Sequence, residues 1–271
     1  RYAYEQQILE RSRSYFVTKA LREIADARDD VDGYIAQFEP KMRKNPGVSV
    51  GIARRLLASG RAADALGFID GTEYPQNYGR DLEWENVRVE VLEALGRSEE
   101  AQTFRCSCFE RHLSIEHLRA YLKHLPDFDD VEAEERAMAH AMAHRSLPTA
   151  LYFFINWPAP DRAAELLMTR HDEIKGGHFS DLTRAAEVLS ERHPLAATLA
   201  LRAMIDYTLV QKWSKQYPYA VEDLRTCARL APDINDFGTF ETHKTYVARL
   251  KVQHGRKYRF WSILADGGGV A

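Results

Sequence analysis

Residues 51–70 read Gly-Ile-Ala-Arg-Arg-Leu-Leu-Ala-Ser-Gly-Arg-Ala-Ala-Asp-Ala-Leu-Gly-Phe-Ile-Asp. Ile52, Ala53, Leu56 and Leu57 recur at the three-and-four spacing of one helical face, and Ala62, Ala65, Leu66 and Ile69 do the same beyond Gly60. The pattern predicts a helix, a one-residue corner at Gly60, and a second helix folding back on the first. Such a pair cannot bury both stripes by itself, so it requires neighbours of the same kind.

A neighbour follows in the chain. Trp84, Val87, Val91, Leu92 and Leu95 precede Gly96, and Ala101, Phe104 and Cys108 come after it. Gly60 and Gly96 lie 36 residues apart, as do Ala65 and Ala101, and this matched interval predicts a repeat. Looser echoes come later, through Met138, Met142, Arg145, Ala150 and Phe154, and through Ala185, Leu189, Arg192, Ala197 and Leu201. There Ser146-Leu147-Pro148 and His193-Pro194 replace the corner glycine, and proline suits the first turn of a returning helix. Helical stretches are also predicted over 114–124, 160–173, 210–230 and 239–264. No bounded run of β-branched residues alternates with polar ones, so the expected fold class is all-α.

The composition is ordinary. In 271 residues, 45% are hydrophobic and 28% charged, and the net charge of -3 gives no global attraction to nucleic acid or anionic lipid. Three cysteines, two of them in Cys106-Ser107-Cys108, are too few for a disulfide framework, which points to a reducing, cytoplasmic compartment. No apolar run approaches the roughly 20 residues of a membrane span, and no membrane partner is expected. The absence of an initial methionine and of a leader suggests that Arg1 is a cut end with a further domain upstream. The expected organisation is one continuous domain: N-terminal helices over 1–45, two hairpins over 46–112, degenerate repeats with a closing helix over 113–264, and a flexible tail from 265 to 271.

The two regular pairs resemble the tetratricopeptide repeat, which has a small residue in its first helix, a glycine at the corner and an alanine in the second helix. Ala53, Gly60 and Ala65 take those places in the first copy, and Arg88, Gly96 and Ala101 in the second, where Arg88 departs from the pattern. About a quarter of the chain matches well. The resemblance implies a right-handed α-α superhelix, a solenoid of degenerate tetratricopeptide-like hairpins. More broadly, Leu195–Tyr207 and the ending Tyr246–Trp261, with its His-Gly-Arg-Lys-x-x-Phe-Trp run, are similar to an uncharacterised bacterial helical-repeat family that has no established activity. A basic-aromatic ending of this kind also follows the zinc finger of some SWIM-type proteins, but the Cys-x-His half of that finger is missing, because Cys227 is followed by Ala228-Arg229.

Each candidate site in the sequence also has a plainer structural role. His140 and His144 are four apart, a spacing zinc can bridge on one helix face, yet Ala141 stands where a zinc protease needs its glutamate. Cys106 and Cys108 point roughly 200° apart on a helix and cannot share a metal with His112. The acidic run Asp127–Glu135 suits a helix N-terminus, where carboxylates meet exposed amides. In the last segment Arg249, Lys251, Arg256, Lys257 and Arg259 are interleaved with aromatic residues that could stack on bases. Val247, Leu250, His254, Tyr258, Trp261 and Leu264 nevertheless form an apolar stripe opposite Arg249, Arg256 and Arg259, as in a closing helix. Gly176-Gly177-His178 reads as a corner between helices.

The leading expectation is a non-enzymatic scaffold that grips a protein or peptide, with no catalytic residue, cofactor or metal. By the tetratricopeptide resemblance, the groove would be lined by Val50, Arg54, Glu83, Asn86, Glu90 and Glu93, a mainly acidic set suited to a basic or mixed ligand. Tyr78 and Arg80, in the turn-rich linker 71–81, add a contact loop. A nucleic-acid accessory module using the five basic C-terminal residues is the alternative, and a metal-dependent hydrolase at His140 and His144 the second.

Overall fold

The structure, a computed structural model, describes residues 16–73 and 80–266, and every regular element among them is helical. A helix over 16–27 (α1) is followed by α2 (Val31–Ala36), α3 (Pro46–Ala58), α4 (Ala62–Asp70), α5 (Leu82–Ala94) and α6 (Ser98–His112). Beyond these come α7 (Ile115–Lys123), α8 (Asp129–Met142), α9 (Leu147–Asn156), α10 (Pro160–Thr169) and α11 (Phe179–Leu189). The chain closes with α12 (Pro194–Val210), α13 (Tyr217–Leu230), α14 (His243–His254) and α15 (Tyr258–Asp266). Two compact units divide between His112 and Leu113.

In the first unit α3 packs on α4 and α5, and α5 packs on α4 and α6. Ile52, Ala53, Leu56, Ala65 and Ile69 are completely buried in one core with Val87 and Val91, and Leu57 and Leu66 lean against it. The hydrophobic stripes of residues 51–70 therefore face each other and the next helix. Asn45-Pro46-Gly47 starts α3, with the Asn45 side chain accepting from the Gly47 amide at 3.2 Å and proline in the first turn.

The corners at Gly60 and Gly96 share one geometry. Both glycines are left-handed, with φ of 76° and 70°. The following amide reaches back to a carbonyl five residues earlier, Arg61 N to Leu56 O at 2.8 Å and Arg97 N to Leu92 O at 2.9 Å. Each arginine then binds the carboxylate three residues on, Arg61 to Asp64 and Arg97 to Glu100. An added Cβ would meet nothing within 4 Å at either glycine, so the backbone dihedral alone makes the demand. At the offset the glycines fix, the counterpart of Ala53 is Val89, 6% exposed, and not Arg88. Arg88 is half-buried, pairs with Asp70 and lies over the Trp84 and Phe104 rings.

In the second unit α9 packs on α10 and α11, and α12 packs on α10, α11 and α13. With three neighbours, α12 is apolar almost all round: Ala196, Ala197, Ala200, Leu201, Met204, Ile205 and Leu209 are all buried. Pro148 and Pro194 stand in the first turns of α9 and α12. The corner after α12 repeats the geometry of Gly60 without glycine, because Lys212 adopts φ 57° and the Trp213 amide donates to Thr208 O at 3.2 Å.

The closing segment corrects the expectation of one helix over 239–264. α14 ends at His254, and a break through Gly255 and Lys257 re-aims α15. The buried side chains are Tyr246, Leu250, Phe260 and Leu264, while Tyr258, assigned to the apolar stripe, is 78% exposed. The break shifts the helical register, so the residues behind it no longer continue the stripe of α14.

Candidate functional site

The expected groove residues of the first unit are largely occupied. Val50 is 3% exposed and belongs to the core, so it does not line a groove. Arg54 pairs with Glu83 at 3.4 Å, Arg80 with Glu85 at 3.0 Å, and Glu93 with the buried Arg105. Asn86 is half-buried, and Glu90 is exposed. These pairings consume most of the acidic character of the set. Tyr78 lies outside the described residues.

The histidine pair is separated by the end of its helix. α8 stops at Met142, leaving His140 on the helix and His144 beyond it, where its Nδ1 accepts from the Ser146 amide at 3.2 Å. Cys108 is completely buried, and burial pushes its thiol up to about 11. Asp129, Asp130 and Glu132 occupy the first turn of α8, and Glu134 and Glu135 reach across to Trp157 and Arg162. Among the C-terminal basic residues, Lys251, Arg256 and Arg259 are exposed. Arg249 is not free: it binds Asp206 at 3.1 Å and Glu241 at 3.0 Å.

Those Arg249 contacts belong to a polar cluster in the second unit, where Leu195–Tyr207 and Tyr246–Trp261 meet. The Tyr246 hydroxyl donates to Asp206 Oδ1 at 3.1 Å, and Arg249 Nη2 donates to Asp206 Oδ2 at 3.1 Å. The completely buried Tyr246 ring lies beneath two guanidiniums, Arg202 at 4.5 Å and Arg249 at 4.9 Å. Burial and then the Asp206 charge hold the Tyr246 hydroxyl well above the ordinary tyrosine range. Burial opposes the Arg249 charge, yet Asp206 and Glu241 raise its pKa above the usual arginine value.

Arg202 is treated differently. It is 6% exposed, and its Nη1 donates to the Glu241 carbonyl at 2.6 Å, but Nε and Nη2 are buried without a partner. Burial lowers its pKa, and the like charge of Arg249 adds to the effect. Leaving a buried donor unmatched costs about 1–3 kcal/mol, and more for a charged group. Both ring nitrogens of His243 are also buried and unpartnered, and burial followed by the Arg202 charge depresses that imidazole.

Arg202 lines an open cleft of about 920 Å³ between the segment His171–His178, α12, the loop before α14, and α14 itself. Gly176 lies directly on α12, where a Cβ would stand 1.9 Å from the Ala203 carbonyl oxygen. Gly177 faces the Tyr207 ring, which Phe179 and Trp213 hold edge-on at 5.9 and 5.5 Å. The two glycines thus let backbone form the cleft wall, beyond the simple corner the sequence suggests.

A second cleft of about 860 Å³ runs past Arg145, Pro148 and Tyr152, and it shares Asp172, Lys175 and His178 with the first. Glu173 is bound by Arg170, and Asp206 and Glu241 by Arg249. Among the described residues, Arg145, Lys175 and Arg202 have no carboxylate partner, while Asp172 pairs only with His171 and Asp181 with no cation. The cluster was not legible in the sequence. Arg202, Asp206 and Tyr246 sit within helical stretches at spacings that read as core or solvated face.

The chain belongs to a family of unknown function, DUF6880, whose model matches residues 1–263. No curated protein and no solved structure matches it.

Proposed function

We propose that the chain is a non-enzymatic helical-repeat scaffold that holds an extended segment of a partner protein in the adjoining clefts of its second unit. The carrying observation is that two clefts share Asp172, Lys175 and His178, giving a continuous lining from Tyr152 to Arg249. Small-molecule sites are typically enclosed and mostly apolar, whereas this lining is open and rich in charge. Its charges are mixed, Arg145, Lys175 and Arg202 beside Asp172 and Asp181, which suits a segment carrying both signs.

The 36-residue recurrence of a glycine corner with the same back-bond and the same following arginine supports reading the hairpins as degenerate tetratricopeptide-like repeats. A right-handed superhelix would follow from stacking them. Among the described residues no helix is long and apolar enough to cross a membrane, and the buried Cys108 and Cys227 are free thiols, which fits a reducing compartment.

Photo-crosslinkers placed at Tyr152 and at Lys175 test the reading in cells. Both positions are expected to trap the same partner, and a crosslinker at Arg54 in the first unit is expected not to. If neither cleft position traps more than the Arg54 control, the clefts are not the docking surface.

A further inference from the structure

Charge is unevenly spread over the second unit. Residues 207–221 and 242–265 contain no aspartate or glutamate, although the whole chain carries a net charge of -3. Within these stretches Lys212, Lys215, Lys251, Arg256 and Arg259 are exposed and Lys257 is half-buried, and none of them has a carboxylate partner among the described residues. Packing joins the two stretches. α13 packs on α15, where the Tyr217 ring meets Phe260 edge-on at 5.9 Å and Arg225 donates to the Ile263 carbonyl at 3.1 Å. The corner 211–216, which leads into α13, therefore lies beside the corner 255–257, which leads into α15. They are close enough that the Lys212 charge adds to burial in lowering the Lys257 pKa. Like charges held together without a counter-charge repel each other, and a polyanion relieves that repulsion.

Aromatic rings stand out of the same corners. Tyr258, the first residue of α15, is 78% exposed, and Trp213, in the corner before α13, is 46% exposed. The Trp213 ring lies against Phe179 at 6.2 Å and 29° from parallel, which holds it in place while part of it faces solvent. Phe260 and Leu264 of α15 are buried and Ile263 is half-buried, which leaves this helix without an apolar face to sink into a bilayer. We propose that the joined corners form a binding surface for single-stranded nucleic acid, with the lysines and arginines tracking the phosphates and Tyr258 and Trp213 stacking on bases. None of these residues lines either cleft, so the surface is independent of the protein-docking reading.

Fluorescence anisotropy of labelled oligothymidylate and oligouridylate, each of about 20 nucleotides, reads binding by the full chain. With about five phosphates neutralised, affinity is expected to fall about a hundredfold on a roughly fourfold rise in salt. Lys212→Asn, which suits a left-handed corner, and Lys257→Gln should each weaken binding and lower the salt slope by about 0.7. Tyr258→Ala should weaken binding about fivefold or more with the slope unchanged, because stacking on a base releases no counterions. Lys41→Gln, at an exposed position of the first unit, should bind as the wild type does. No binding at low salt overturns the proposal, as does wild-type affinity in both lysine variants.

Competition then separates the classes of polyanion. Polyglutamate, polyphosphate, phosphatidylserine vesicles and an unlabelled single strand are added at equal concentrations of negative charge, and the single strand is expected to displace the label most effectively. Equal displacement by polyphosphate, with wild-type affinity in Tyr258→Ala, removes the stacking role and overturns the assignment to a single strand. Stronger displacement by polyglutamate or by the vesicles overturns it in favour of an acidic protein or a membrane surface.

Discussion

Replacing Asp223 with asparagine is expected to stabilise the second unit at neutral pH and to change how its stability depends on pH. Asp223 lies on α13, whose next turn carries the completely buried Cys227. Burial, aided by the neighbouring Glu222 charge, raises its carboxyl from 3.8 to about 7. Between about pH 4 and about 7 the folded chain keeps this proton while the unfolded chain releases it, so stability falls as pH rises through that window. Below the window both states are protonated and the penalty is absent; above it the penalty is full and constant. Each pH unit costs about 1.4 kcal/mol, which over the whole window gives an upper bound of about 4 kcal/mol. The side chain is partly exposed, so about 2 kcal/mol is the realistic figure after solvent screening. Urea unfolding followed by circular dichroism at pH 5, 6, 7 and 8, at fixed ionic strength, reads the effect. His243 and His254, both held low by burial, act in the opposite direction below about 6.5. The comparison is therefore between variant and wild type at each pH. A gap that does not widen from pH 5 to pH 8 refutes the reasoning.

Lys212→Gly is expected to raise stability by about 1 kcal/mol, because Lys212 is a left-handed, exposed corner residue at φ 57°; an unchanged unfolding midpoint would count against this. Gly176→Ala places a Cβ 1.9 Å from the Ala203 oxygen, and overpacking of this kind costs about 1–3 kcal/mol. Thermal unfolding should show that loss, whereas Gly67→Ala, where a Cβ meets nothing within 4 Å, should not be destabilised. His243→Leu should lessen the loss of stability on acidification below about pH 6.5, since the neutral imidazole buried in the fold must otherwise compete with a protonated one in the unfolded chain.

The sequence by itself determined that the chain is helical, and it located the regular corners. Residue spacing and turn chemistry are local, so the 3.6-residue period of 51–70, the left-handed glycines at 60 and 96 and the prolines at 148 and 194 could be read without knowing what packs on them. Where the same left-handed corner was made by Lys212, the residue type gave no signal, because context forced the dihedral. Tertiary structure decided which charges are free. Arg249 looked like a solvated cation on a closing helix and proved to be bound by Asp206 and Glu241, 43 residues earlier and 8 residues earlier in the chain. Arg202, within the apolar run 195–207, proved to be 6% exposed, with Nε and Nη2 buried and only Nη1 bonded, to the Glu241 carbonyl. A charge acquires its role from partners that approach from other helices, and no local pattern encodes which of them arrive.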